Sequence, residues 1–200
     1  ARRLTKQHDV LLICDEVATG FGRTGTLFAC EQEQVVPDLL CLAKGISGGY
    51  LPLAATVASD AIYEQFLGPY ASKRTFFHGH TYTGNPLACA AGLASLRILQ
   101  RDQVIEKLPA KIERLRAGLA ATIAPLPHVL QIRQRGMMIG IELAADVATR
   151  TPYPYEAAIG AQVCRAVRQH GVLLRPLGPV IVWMPPLSIT PAEIDLLIDA

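Results

Sequence analysis

The 200-residue sequence has no long apolar run, no cluster of basic residues and no closely spaced pair of cysteines. Each absence removes a class of protein. A membrane-spanning helix needs about 20 consecutive apolar residues, and no stretch approaches that length. The opening ARRLTKQHD also lacks the apolar segment of a secretory signal. A net charge of +2 without a basic patch leaves no electrostatic footprint for nucleic acid. The five cysteines (Cys14, Cys30, Cys41, Cys89 and Cys164) are odd in number and none forms a C-x-x-C pair, which argues against a disulfide framework or a cysteine metal site. They are expected to be small buried apolar residues in a reducing, cytoplasmic compartment. His78 and His80 lie close together but lack further ligands at suitable spacing, so no metal is expected. Charged residues make up only 18% of the chain and hydrophobic residues half, enough to fill a core. The sequence begins without Met just before a strand-like run and ends within a helix-like one. A part of a longer protein, cut at both ends, is therefore expected.

Three short apolar runs are predicted to be strands: Val10 to Cys14 (VLLIC), Leu39 to Ala43 (LLCLA) and Leu53 to Ala58 (LAATVA). Their composition suits interior strands of a parallel sheet, buried on both faces. Asn85 then Pro86 reads as a helix start, a cap followed by a residue preorganised for the first turn. The helix it opens, LACAAGLASLRIL, is nearly all apolar and is expected to be buried. Near Arg101 the texture changes. Ile105, Leu108, Ile112, Leu115 and Leu119 follow helical spacing, and an amphipathic helix pair, broken or kinked at Pro109, is expected. Val129 to Arg133 and Met137 to Leu143 alternate like two strands joined at Arg135-Gly136. A helix over 155–170, strands over 172–174 and 180–184, and a capping box at Thr190-Pro191-Ala192-Glu193 complete the pattern. The expectation is an α/β protein with a boundary inside 100–125. Residues 1–104 would belong to a larger domain with a mainly parallel sheet, and 105–200 to a small α+β domain.

Two chemical signals compete in the first part. Gly20, Gly22 and Gly25 form G-x-G-x-x-G after a predicted strand, the pattern of a dinucleotide loop. That loop needs a helix at its glycines and an acid about twenty residues on. Instead TLFACEQEQVVPD follows, soon closed by Pro37. The other signal is an acid and a lysine, Asp15 and Lys44, each where a predicted strand stops. Open parallel sheets bind ligands at the carboxyl ends of their strands. A carboxylate and a lysine followed by Gly45, Gly48 and Gly49 are what a pyridoxal phosphate site requires. Taken as an isolated pair, Asp15 could equally cap a turn and Lys44 be a solvated charge.

The pair is not isolated. DEVATGFGRTG, PDLLCLAKGISGGYLPLAAT and FHGHTYTGNPLACAAGLASL resemble, in order and spacing, the class III pyridoxal-phosphate aminotransferases of fold type I. That resemblance spans essentially the whole chain. It implies pyridoxal 5'-phosphate as cofactor, Asp15 against the ring nitrogen and Lys44 as the lysine that links to it. It implies Thr81 on the cofactor phosphate of a partner subunit, with Gly79 and His80 beside it, and so a homodimer with shared active sites. GFGRTG becomes a structural loop, with Arg23 an ion-pair partner. Tyr82 and Trp183 are read as packing groups.

Further along, GVLLRPLGPVIVWMPPLSIT resembles the branch that makes 7,8-diaminononanoate from 8-amino-7-oxononanoate for biotin synthesis, with S-adenosylmethionine as donor and lysine as an open alternative. By that resemblance Arg175 holds the acceptor's carboxylate, a task suited to a guanidinium fork. Val182 departs from the tyrosine often found seven residues after this arginine. An ω-amino-acid:pyruvate transaminase of the same family is the nearest alternative, and a non-catalytic or nucleotide-binding α/β protein a distant one.

Overall fold

The computed structural model describes residues 1–200 and divides into two compact units. The first comprises Ala1–Gly22 and Thr26–Gln103, the second Arg23–Gly25 and Val104–Ala200.

In the first unit α1 (Arg2–Gln7) leads to β1 (Ile13–Asp15), β2 (Leu39–Leu42), β3 (Ala55–Ala58), the short α2 (Asp60–Tyr63) and α3 (Pro86–Arg101). The sheet order is β1-β2-β3. β1 runs parallel to β2, with Ile13 opposite Leu39 and Asp15 opposite Cys41. β3 is antiparallel to β2, not parallel as expected, with Leu42 opposite Ala55. β1 also starts later than VLLIC suggests. The Leu12 N–H is taken by the Asp38 carboxylate at 2.7 Å, and Arg2 donates to the same oxygen at 2.7 Å. The Leu12 N–H is thus taken by a side chain, while its carbonyl still accepts the Asp38 and Leu39 N–H groups. The expected burial on both faces is not found: Val10, Leu11 and Ile13 are more than half exposed.

Asn85 caps α3, its side chain accepting from the Leu87 and Ala88 N–H groups. The helix buries only Ala88 and Gly92, while Leu87 and Leu93 stand out in solvent. Its small-residue stripe packs on the Lys44–Ser47 turn, and its leucine stripe has no cover within the unit.

In the second unit α4 (Val104–Gly118) is followed by a π-helical turn over Leu119–Ile123. β4 (Val129–Arg135), β5 (Met138–Leu143), α5 (Ile159–Ala166), β6 (Arg175–Leu177), β7 (Val180–Trp183) and α6 (Pro191–Asp199) complete it. α4 is one helix that runs through Pro109 rather than a broken pair. Proline inside a helix removes one hydrogen bond at a cost of about 3 kcal/mol. Leu108 and Leu115, both fully buried, hold the helix on either side of it. Each such side chain contributes about 1.5–3 kcal/mol by leaving water.

The sheet order is β4-β5-β7-β6, antiparallel throughout. The β4–β5 turn occurs at Gly136, whose φ is +60°. β6 lies just beyond the predicted 172–174, and Val172 and Leu174 pack against the core from the preceding loop. The predicted helix over 155–170 is split by Ala158 at φ +47° into a 3-10 turn, α5 and a second 3-10 turn. The core packs Met137 of the β4–β5 turn and Ile139, Ile141, Ile181 and Trp183 of the sheet together with Ile194 and Leu197 of α6. The α6 capping box is complete: Thr190 accepts from the Glu193 N–H and Glu193 accepts from that of Thr190. Of the cysteines only Cys164 is buried, Cys89 is exposed, and all five are free thiols. No helix is long and apolar enough to cross a membrane.

Candidate active site

Asp15 closes β1 and Lys44 follows β2 after Ala43. Because β1 and β2 are parallel, the two groups leave the sheet at the same edge, the edge where such sheets bind ligands. Asp15 is exposed and its Oδ1 accepts the Val17 N–H at 3.0 Å, so it does shape a turn. The next residue, Glu16, is nearly fully buried. Its N–H donates to the Cys41 carbonyl, and its carboxylate accepts the Cys30 N–H at 2.8 Å and the Thr19 hydroxyl. Glu16 thereby ties the end of β1 to β2 and to the Ala29–Glu33 turn. Burial first, and the Glu16 charge second, push the Cys14 and Cys30 thiols up, which keeps them protonated.

Lys44 is one of few non-glycine residues in the left-handed region, at φ +46°. Such a conformation costs of order 1 kcal/mol or more and persists only where surroundings enforce it. The enforcement is visible at Gly45: a Cβ there would fall 2.8 Å from Phe21 Cβ, so only glycine fits. The Gly45 carbonyl accepts from Ser95 Oγ of α3 at 3.2 Å, and the buried Ser47 donates to the Leu51 carbonyl at 2.6 Å. The turn is clamped on both sides while the lysine itself stays exposed.

An open cavity of about 970 Å³ lies over this turn, lined by Lys44, Ser47, Tyr50, His80, Tyr82 and Asn85 among others. The structure thus brings Lys44 and His80 together. Asp15, Gly79 and Thr81 are not part of that lining. His80 holds the exposed 80–83 turn through its N–H to Thr83 Oγ1 at 3.0 Å and its Nδ1, which accepts the Tyr82 N–H at 3.2 Å. His78 stacks near Phe76 instead. Tyr82 is three-quarters exposed and does not pack, contrary to expectation. The donor set is a primary amine in a cavity and a carboxylate at the neighbouring strand end. It suits a ring cofactor with an electrophilic carbonyl carbon and a protonated nitrogen.

In the second unit Arg175, exposed, opens β6 directly across from Val182 of β7. Both line a largely apolar cavity of about 710 Å³ together with Trp183, Met184, Pro185 and Leu197. Trp183 is buried, as expected of a packing group, though its indole N–H has no partner. The charged groups of the lining are Arg175 and Glu193, and because Glu193 is engaged by Thr190 in the α6 cap, the Arg175 guanidinium is left to suit an aliphatic carboxylate. Arg23 makes no ion pair. Its Nη1 donates to the Pro185 carbonyl at 2.6 Å, and burial pulls its guanidinium below the usual value. Of the GFGRTG glycines, Gly22 and Gly25 have φ of +95° and +102°, in keeping with turns rather than a nucleotide loop.

The sequence reading overlooked Glu16 and Lys111. Lys111 donates to the Leu187 carbonyl at 2.7 Å beside the second cavity. A carboxylate directly after Asp15 was a signal for the first; nothing distinguished Lys111 from its basic neighbours.

The family model of class III aminotransferases matches residues 1–200. The chain is 59% identical over 197 residues to an adenosylmethionine-8-amino-7-oxononanoate aminotransferase of Nitratidesulfovibrio vulgaris, covering 98% of this chain and 36% of the relative. The crystal structure of the Methanocaldococcus jannaschii enzyme of the same name superposes with a TM-score of 0.95 at 48% identity, covering 99% of this chain and 46% of that one. A thermostable (S)-enantioselective omega-transaminase from Thermomicrobium roseum superposes with a TM-score of 0.91 at 39% identity, covering 98% and 43%. The chain spans less than half the length of these curated relatives and solved structures. Over that span it has their α/β architecture, fold type I.

Proposed function

The chain belongs to the class III aminotransferase family, and on that premise we propose that the whole protein is a pyridoxal 5'-phosphate-dependent transaminase of biotin synthesis. In this reading it moves an amino group from S-adenosylmethionine to 8-amino-7-oxononanoate, giving 7,8-diaminononanoate. The observation that carries the proposal is the left-handed, clamped Lys44 at the sheet edge where Asp15 also ends its strand.

When bound, the cofactor supplies an electron-accepting ring that stabilises a carbanion. The chain's residues take the remaining roles. Lys44 Nζ would hold the cofactor covalently, then carry the proton removed from the donor's α-carbon. Asp15 would keep the ring nitrogen protonated. Its exposed carboxylate oxygens, only one of them engaged by Val17, leave an acceptor free for that bond. Thr81 would bind a phosphate across a homodimer interface, with Gly79 and His80 beside it; all three sit in or next to exposed turns. Arg175 would hold the acceptor's carboxylate, with the apolar cavity around it receiving the aliphatic chain.

The names of the curated relatives support the biotin-pathway substrate. The similarity to an omega-transaminase, together with Val182 opposite Arg175, favours a second reading in which a different keto acid is the acceptor. Two incubations of the whole protein with cofactor separate these readings: 8-amino-7-oxononanoate with either S-adenosylmethionine or lysine, and pyruvate with an ω-amino acid, the aminated product being assayed by mass spectrometry in each. Product with S-adenosylmethionine supports the first; product with lysine only keeps its acceptor and overturns its donor. Transamination of pyruvate alone supports the second.

A further inference from the structure

β7 ends at Trp183, and the chain continues as the strap Met184-Pro185-Pro186-Leu187, whose first three residues line the Arg175 cavity. Two consecutive prolines offer no N–H, so the strap cannot extend the ladder to β5 or β6. Its carbonyls are its means of attachment. Pro186 bonds locally, accepting the Ile189 N–H at 3.0 Å. The flanking two carbonyls are held from far away in sequence. Arg23 Nη1 donates to Pro185 at 2.6 Å and Lys111 Nζ donates to Leu187 at 2.7 Å.

Both anchors are cations that form no salt bridge. Both are desolvated. Burial lowers the proton affinity of Arg23, and burial followed by the nearby Lys107 charge lowers that of Lys111. A charged donor turned onto a neutral carbonyl makes one of the stronger single hydrogen bonds, and Pro185 is buried, so its carbonyl would be costly to leave unpaired. The backbone carrying Arg23 is itself fixed. Its carbonyl accepts the Met137 N–H at 3.0 Å, and a Cβ at Gly136 would lie 2.3 Å from the Thr24 carbonyl carbon. The RTG tripeptide is seated on the β4–β5 turn so closely that only glycine is admitted there.

We propose that Arg23 and Lys111 are positioning residues for the acceptor. They hold the Trp183–Pro186 wall, Arg23 from within it and Lys111 from Leu187 just beyond it, at the distance from Arg175 that an aliphatic carboxylate requires. The proposal rests on the reading of the Arg175 cavity as the acceptor subsite. It gives the Arg23–Gly25 part of that loop a role in substrate fit within the second unit. A small misplacement of a binding wall lowers affinity without touching the reacting atoms.

The test uses the whole protein with cofactor bound and nonanoate as an unreactive probe, titrated by calorimetry. Lys111→Met and Arg23→Met are each expected to weaken nonanoate binding about tenfold or more. Hydrogen exchange should rise at the Leu187 to Ile189 amides and not across the core. The acceptor KM should rise while the donor half-reaction keeps its rate. Lys111→Arg, which retains a charged donor, is expected to restore most of the affinity. Should a methionine variant precipitate, Lys111→Gln is read by the same criteria. If Arg175→Met abolishes nonanoate binding while the Arg23 and Lys111 variants bind within twofold of wild type, the positioning role is overturned and the subsite reading survives. If Arg175→Met leaves binding unchanged, the subsite reading fails and the positioning role with it.

Discussion

Arg175 and Val182 stand directly opposite one another in the antiparallel pair of β6 and β7. Cross-strand partners share a face of the sheet with their Cβ atoms about 5 Å apart, so the guanidinium's nearest partner across the sheet is a short apolar side chain. Arg175→Ala should therefore impair amino transfer to the keto acid far more than withdrawal from the donor. The expected loss is roughly 1.5–3 kcal/mol of acceptor binding. Single-turnover measurements on each half-reaction check this, and equal loss in both would make Arg175 structural.

Asp15→Asn is expected to leave the cofactor bound but to abolish nearly all turnover. An amide cannot stabilise a protonated ring nitrogen, though it can still accept the Val17 N–H and preserve the turn. Cofactor content by absorbance, measured beside kcat, separates the two effects. Turnover near the wild-type rate would remove Asp15 from the chemistry.

The capping box of α6 predicts a pH dependence. The Thr190 N–H, and then its hydroxyl, hold the Glu193 carboxyl below its ordinary range. A carboxyl depressed in the folded state contributes stability that is present above its unfolded value. That stability is lost as pH falls through the folded one. Glu193→Gln, which removes the titrating carboxylate, should lower stability at neutral pH, and the difference from wild type should shrink in acid. Denaturant melts at neutral and acidic pH test this; a difference constant with pH would contradict it.

The caps and turns were the most legible features. Asn85-Pro86, Thr190-Pro191 and Arg135-Gly136 act through local chemistry that a few adjacent residues define. The strand-end placement of Asp15 and Lys44 was legible for the same reason: each apolar run stops at a charged residue. Long-range partners were not legible. LAATVA looks like its parallel neighbours, yet pairs antiparallel as β3. Asp38 captures the Leu12 N–H and shortens β1, an outcome decided by a side chain 26 residues away. Arg23 was expected to meet a carboxylate and instead meets the Pro185 carbonyl, because two prolines leave that strap in need of donors. Pro109 was expected to break or kink a helix pair, and the segment is one helix that buried leucines on both sides hold.

The account depends most on Lys44 as the lysine that holds the cofactor. The direct measurement is borohydride reduction of the whole protein with pyridoxal 5'-phosphate bound, followed by proteolysis and peptide mass mapping. The expected result is one reduced pyridoxyl adduct, on the peptide containing Lys44. An adduct on Lys6 or Lys73, or none on any lysine, would contradict it.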